Sequence, residues 1–174
     1  MSNEGRMADE GSFTCGRCAE LHPGPPMSYG PPAPAYWSAE LAADPDNVLE
    51  GEICVIRGQG FFVRGLIEIP VTGADDTFAW SVWVSQSEES FRDIVAAWDR
   101  PGRESRAPSF GWLSTQLPYD PPTLNLKTRL HTRPVGERPW VELEPTDHPL
   151  AVEQRTGITP ARVREIAERM RHGG

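Results

Sequence analysis

Between Thr123 and His131 the chain reads TLNLKTRLH, with an apolar or small side chain at every second position. Leu124, Leu126, Thr128 and Leu130 alternate with Asn125, Lys127, Arg129 and His131. Period two is the repeat of a strand with one buried and one wet face. A one-residue slip would invert every side chain, so the register is tightly constrained. EICVIR, FFVRGLIEIPV and FAWSVWVS are rich in branched and aromatic residues and read as further strands, and WVELE adds another.

Two helices are marked by their ends. Ser85 with Glu88 forms a capping box, followed by an apolar face of Phe91, Ile94, Val95 and Trp98 and a stop at Pro101-Gly102. Near the C-terminus Thr159 caps and Pro160 takes the first helical position. Val163, Ile166, Ala167 and Met170 form the stripe, and Ile158 and Val163 are spaced as a hydrophobic staple. A short helix over residues 149–155 ends at Gly157. Hairpin-length gaps between strands, with helices around them, predict an α+β fold with a mostly antiparallel sheet, flanking helices and an N-terminal zinc-knuckle-like segment.

Residues 1–12 carry too little apolar surface to offset the entropy of ordering and are expected to be a disordered tail. Residues 13–22 form a compact knuckle, and residues 23–37 a Pro-rich connector held to the body by Tyr29, Tyr36 and Trp37. The body spans 38–174. With 17 basic and 25 acidic residues the chain has a net charge of -8, which argues against broad nucleic-acid binding. No apolar run is long enough to span a membrane, and the polar N-terminus lacks the core of a signal peptide. A cytoplasmic location is expected. Three cysteines, an odd number, fit reduced thiols or metal ligands better than a disulfide framework.

FTCGRCAELHP places Cys15 and Cys18 at C-x2-C, with His22 four residues on. Across a tight turn two thiolates and an imidazole can meet at one tetrahedral zinc, and so short a segment has no core of its own. Structural zinc needs a fourth ligand. Cys54, the remaining thiol, ranks first, although a cysteine in an apolar strand is often a small hydrophobe. His148 ranks second and His131 third. With water in the fourth place the zinc would be open to catalysis.

Other patterns have plainer readings. Gly58, Gly60 and Gly65 do not make a dinucleotide fingerprint and read as a turn. Asp147 and His148 could serve a hydrolase as an acid–base pair, yet at a strand-to-helix turn such residues usually cap. The last two helices resemble a helix-turn-helix with Val152, Ile158, Val163 and Ile166 inside. Glu153 stands where close helix packing wants a small residue, and Arg164 with Glu168 and Glu165 with Arg169 half neutralise the last helix. Of six tryptophans, Trp83 points away from Phe78, Trp80, Val82 and Val84 on its strand. It is exposed for binding, covered by the connector, or, where helices cover both faces of the sheet, part of the core like the other tryptophans.

Taken together, FTCGRCAELH, FFVRGLIEIPV, WSVWVSQSEESF, FGWLSTQLPY and the long run from TLNLKTRLH to AVEQRTGI resemble the bacterial domain-of-unknown-function family DUF2199, from about Phe13 to the C-terminal helix. The resemblance implies no catalytic residues. The combined expectation is a zinc-stabilised regulatory or toxin-neutralising module that binds a protein partner.

Overall fold

The computed structural model describes residues 26–172 and, as backbone, the two short strands β1 (Phe13–Thr14) and β2 (Leu21–His22). β1 and β2 pair antiparallel, Phe13 opposite His22 and Thr14 opposite Leu21. The expected tail, residues 1–12, and the positions of Cys15 and Cys18 lie outside the described residues.

One sheet organises the body. Its strands are β3 (Ser28–Tyr29), β4 (Val48–Leu49), β5 (Ile53–Ile56), β6 (Gly60–Pro70), β7 (Thr77–Gln86), β8 (Ser109–Trp112), β9 (Lys127–His131) and β10 (Trp140–Leu143). The order is β3-β7-β6-β10-β9-β8, with β5 beside β6 and β4 beside β5. β6 and β7 form a long antiparallel ladder from Phe61↔Gln86 to Pro70↔Thr77. The opposite edge of β6 is shared, its start pairing with β5 and Leu66 pairing with Trp140 of β10.

The β6–β10 and β3–β7 pairs are parallel. The sheet is therefore mixed, which corrects the mostly antiparallel expectation. Alternation within a strand reports which face is buried. It carries no information about the direction of a partner many residues away.

The sheet curls until its ends meet. Val84 of β7 bridges Leu113, and the Ser114 N–H donates to the Trp83 carbonyl at 2.8 Å. Side chains complete the closure. The Trp112 N–H donates to Ser85 Oγ at 2.9 Å, the Trp83 N–H to Thr115 Oγ1 at 2.9 Å, and Gln86 Nε2 to the Phe110 carbonyl at 3.3 Å. Gly111 permits this crossing, since a Cβ there would collide with the Ser85 carbonyl oxygen and Val84 Cγ1.

Curling gives the sheet an inner and an outer surface. Val63, Ile67, Val82, Val84, Leu130 and Val141 fill the inside and are fully buried. Three helices extend this core: α1 (Glu88–Ala96), α2 (Pro149–Thr156) and α3 (Pro160–Arg171). Phe91 of α1 meets Phe61 at 5.1 Å between ring centroids. Leu150 and Ala151 of α2 and Val163, Ile166 and Ala167 of α3 are buried. The turn between α2 and α3 is pinned to the end of β6, where the Ile158 N–H donates to the Pro70 carbonyl and the Thr72 N–H to the Ile158 carbonyl, both at 2.8 Å. No helix among the described residues is long and apolar enough to cross a membrane.

A second, smaller core lies on the outer surface. Trp83, Cys54, Ile56 and Phe62 are buried there under Trp37, Leu41 and Leu49. The connector thus covers Trp83, whose indole N–H donates to the Pro31 carbonyl at 3.2 Å. Tyr29 turns to the inner core and packs on Phe78 and Trp80.

Local expectations met specific corrections. β7 runs on to Gln86, so Ser85 belongs to the strand and Ser87 caps α1, its side chain accepting from the Ser90 N–H. β9 begins at Lys127, so Leu124 and Leu126 precede it and are half-buried. Thr128 and Leu130 are buried, and Lys127 and Arg129 exposed, as the alternation requires. Val95 and Met170 lie at the edges of their helical stripes and remain exposed. The C-terminal caps fall as expected, with Thr159 accepting from the Arg162 N–H and Gly157 ending α2.

Candidate functional site

The residues singled out for metal or catalysis do not converge among the described residues. No three His, Cys, Asp or Glu side chains there are grouped so as to hold a metal ion. Cys54 has no exposed surface, and burial pushes its thiol up to about 11. His148 caps α2: its Nδ1 accepts from the Leu150 N–H at 3.0 Å, and its Nε2 lies 2.8 Å from the Pro121 carbonyl. The accepting Nδ1 fixes the neutral tautomer, with the proton on Nε2. Both ring nitrogens are engaged with backbone, and Asp147 beside it is exposed. His131 stands on the outer surface, 3.1 Å from Glu142 and tilted over Trp140 at 4.6 Å. For the proposed knuckle, the backbone pairing of β1 with β2 brackets residues 15–20, and Cys15 and Cys18 lie outside the described residues.

The outer wall of β8, β9 and β10 is the surface with the most distinctive chemistry. Phe110 and Trp112 project outward from β8 and are 51% and 43% exposed, in edge-to-face contact at 5.0 Å. Register places Phe110 across from Arg129 and Trp112 across from Lys127. Lys127, Arg129, Glu142 and Glu144 line a shallow cleft of about 570 Å³ beside Phe110. Glu142 is engaged by His131. Neither Lys127 nor Arg129 makes an ion pair among the described residues. The wall exists because β8 closes the sheet with its inward Gly111, leaving its two aromatic rings outward.

Sequence reasoning missed a polar chain that joins β7, the loop before β9 and the last two helices. The buried Trp80 indole donates to Tyr119 Oη at 3.0 Å, Tyr119 donates to Glu153 Oε1 at 2.5 Å, and Arg162 Nε donates to Glu153 Oε2 at 2.8 Å. Burial, and then the Glu153 carboxylate, push the Tyr119 phenol well above its ordinary range. Glu153, where close helix packing wanted a small residue, was the one visible signal. It carries the join between α2, α3 and the loop ahead of β9. A second unforeseen device is Arg103, which donates to the carbonyls of Trp98, Arg133, Pro134 and Glu137 and lies over the Trp98 ring at 5.4 Å. Both arrangements are internally satisfied and act in holding the fold.

The family model for uncharacterized proteins conserved in bacteria matches residues 14–158, which takes in the outer core, the inner core apart from α3, the outer wall and the His148 cap. The chain belongs to the DUF2199 family. Neither a curated protein nor a solved structure matches it. The DUF2199 match ends at Ile158, so α3 lies beyond the matched segment although its apolar stripe is part of the inner core.

Proposed function

We propose that this DUF2199 protein is a zinc-stabilised, cytoplasmic regulatory module that binds a protein partner through the outer wall of β8 and β9. The exposed edge-to-face pair of Phe110 and Trp112 carries the reading. Aromatic side chains bury much area at low entropic cost and dominate binding surfaces. The partner is an acidic segment with an apolar anchor, because Lys127 and Arg129 flank the rings and neither is ion-paired among the described residues, with Glu142 and Glu144 on the β10 side of the same cleft.

Selection of a peptide display library on the full chain tests this. The expected result is enrichment of Asp or Glu beside an aromatic or aliphatic residue, lost in Phe110→Ser and Trp112→Ser and inverted toward basic peptides in Lys127→Glu/Arg129→Glu. No enrichment, or enrichment insensitive to these variants, overturns the partner. Binding of single-stranded nucleic acid instead would replace it with a different class.

The zinc part of the proposal rests on the C-x2-C spacing and on the β1–β2 pairing that brackets it. Cys15, Cys18 and His22 supply three ligands. Cys54 supplies the fourth only if the cover of Trp37, Leu41 and Leu49 opens, because the thiol has no exposed surface. Elemental analysis should find about one zinc per chain, and chelation should loosen residues 13–37 while the sheet stays folded. Retention of zinc in Cys54→Ser would move the fourth ligand elsewhere, and a zinc-free preparation would remove the site.

A further inference from the structure

Beside the outer wall, a second cleft of about 440 Å³ opens between the connector and β8. Trp112 and Tyr36 contribute its exposed rings, and Phe62 lies 6.0 Å from Tyr36. None of its ten lining residues carries a charge, in a chain where 24% of residues do. Of its six polar side chains, Asn125, Ser85 and Gln59 have unused hydrogen-bonding capacity. Asn125 Oδ1 accepts from the Tyr36 hydroxyl at 3.3 Å, and its Nδ2 has no partner among the described residues. Ser85 Oγ accepts from the Trp112 N–H and keeps its own proton to donate. The Gln59 side chain has no hydrogen-bond partner among the described residues and is exposed.

We infer that this cleft binds a small neutral sugar, a mono- or disaccharide. An exposed aromatic ring covers the apolar C–H face of a pyranose, and amides and hydroxyls exchange hydrogen bonds with its hydroxyl groups. A phosphate or carboxylate ligand would find no cation in the lining to offset its desolvation. Asn125 is a built feature of the cleft: it holds φ 69°, a left-handed conformation that Asn tolerates better than most residues, and in it the side chain meets Tyr36. This site shares Trp112 with the protein-partner reading and otherwise uses different groups, since Phe110 does not line it and Lys127 and Arg129 lie in the neighbouring cleft.

The experiment is a titration of the full chain with neutral mono- and disaccharides, uncharged nucleosides and a sugar acid, read by tryptophan fluorescence and by backbone amide shifts. A neutral sugar is expected to saturate the signal, with shifts at residues 36, 59, 85, 112 and 125, and the sugar acid is expected to bind more weakly. Asn125→Gly keeps the left-handed backbone and removes the amide, and it should weaken binding about tenfold or more. Gln59→Ala provides a second, surface-exposed variant should Asn125→Gly unfold. Arg129→Glu, which changes only the neighbouring cleft, should leave sugar binding unchanged, and this separates the site from the protein surface. No saturable response to any neutral sugar, binding of nucleosides alone, or shifts away from the cleft would overturn the inference.

Discussion

The Tyr119 hydroxyl donates to Glu153 Oε1 at 2.5 Å, and Arg162 reaches the other oxygen of the same carboxylate at 2.8 Å. One side chain on α2 therefore satisfies a phenol from the loop before β9 and a guanidinium from α3. The guanidinium also lies 5.6 Å from the centre of the Tyr119 ring. Replacing Glu153 by Leu leaves two polar groups without their acceptor, and a loss of about 3–5 kcal/mol is expected by denaturant unfolding. Glu153→Gln keeps an acceptor and should cost less. A double-mutant cycle with Tyr119→Phe should return a coupling of at least ~1 kcal/mol.

Alkaline pH should act through the same tyrosine. Its phenol is raised above the ordinary value of 10.0, first by burial and then by Glu153. The unfolded chain releases this proton at lower pH than the folded one. Stability from this group is thus complete below pH 10 and declines as pH rises above it. Tyr119→Phe should flatten that part of the stability curve, as read by urea midpoints across the range.

His148 should behave as a helix cap. Its Nδ1 accepts from the Leu150 N–H, so His148→Ala is expected to cost about 1 kcal/mol, and His148→Asn to recover most of it. Thermal midpoints of the two variants check this. An equal loss in both would shift the role to the contact with the Pro121 carbonyl.

Trp83 and Cys54 share the core beneath the connector. Trp83→Ala should destabilise the protein by about 3–5 kcal/mol, because a fully buried indole leaves a large cavity. Alkylation of Cys54, followed by mass spectrometry on its own peptide, should be slow in the native chain. Trp37→Ala should speed it while the inner core remains folded, as judged by near-ultraviolet circular dichroism.

Removing residues 159–174 should destabilise the whole domain. Val163, Ile166 and Ala167 are buried in it, and losing apolar side chains of about 1.5–3 kcal/mol each rivals the stability of a small domain. A truncated chain with an unchanged melting temperature would instead make α3 a detachable helix, the arrangement a DNA-reading helix-turn-helix would need.

Local patterns were legible and their long-range consequences were not. The buried Thr128 and Leu130 and the wet Lys127 and Arg129 follow directly from alternation, and the caps at Thr159 and Gly157 follow from residue type. The parallel pairing of Leu66 with Trp140 joins positions 74 apart in sequence, and no nearby residue encodes its direction. The cap shifted from Ser85 to Ser87 because β7 kept its ladder with β6 through Gln86, and tertiary pairing outweighed the local box. The outer wall was invisible for a related reason. Phe110 and Trp112 read as ordinary strand aromatics until β8 meets β7, and that meeting depends on Gly111 and Ser85. The connector over Trp83 was one of three outcomes open to the sequence, beside exposure and burial under helices, and the structure selects it through Trp37, Leu41 and Pro31.

The contact of β7 with β8 and the residues after it is made by one backbone bridge and by the side chains of Ser85, Gln86, Ser109 and Thr115, whereas β6 and β7 are laced by a continuous ladder. The cylinder therefore has a zip that depends on four replaceable residues. Opening along that line would part the wall bearing Phe110 and Trp112 from the strand bearing Trp83, and would leave the rest of the ladder intact. A molecule built this way carries its most adhesive surface on the flap that can come loose first.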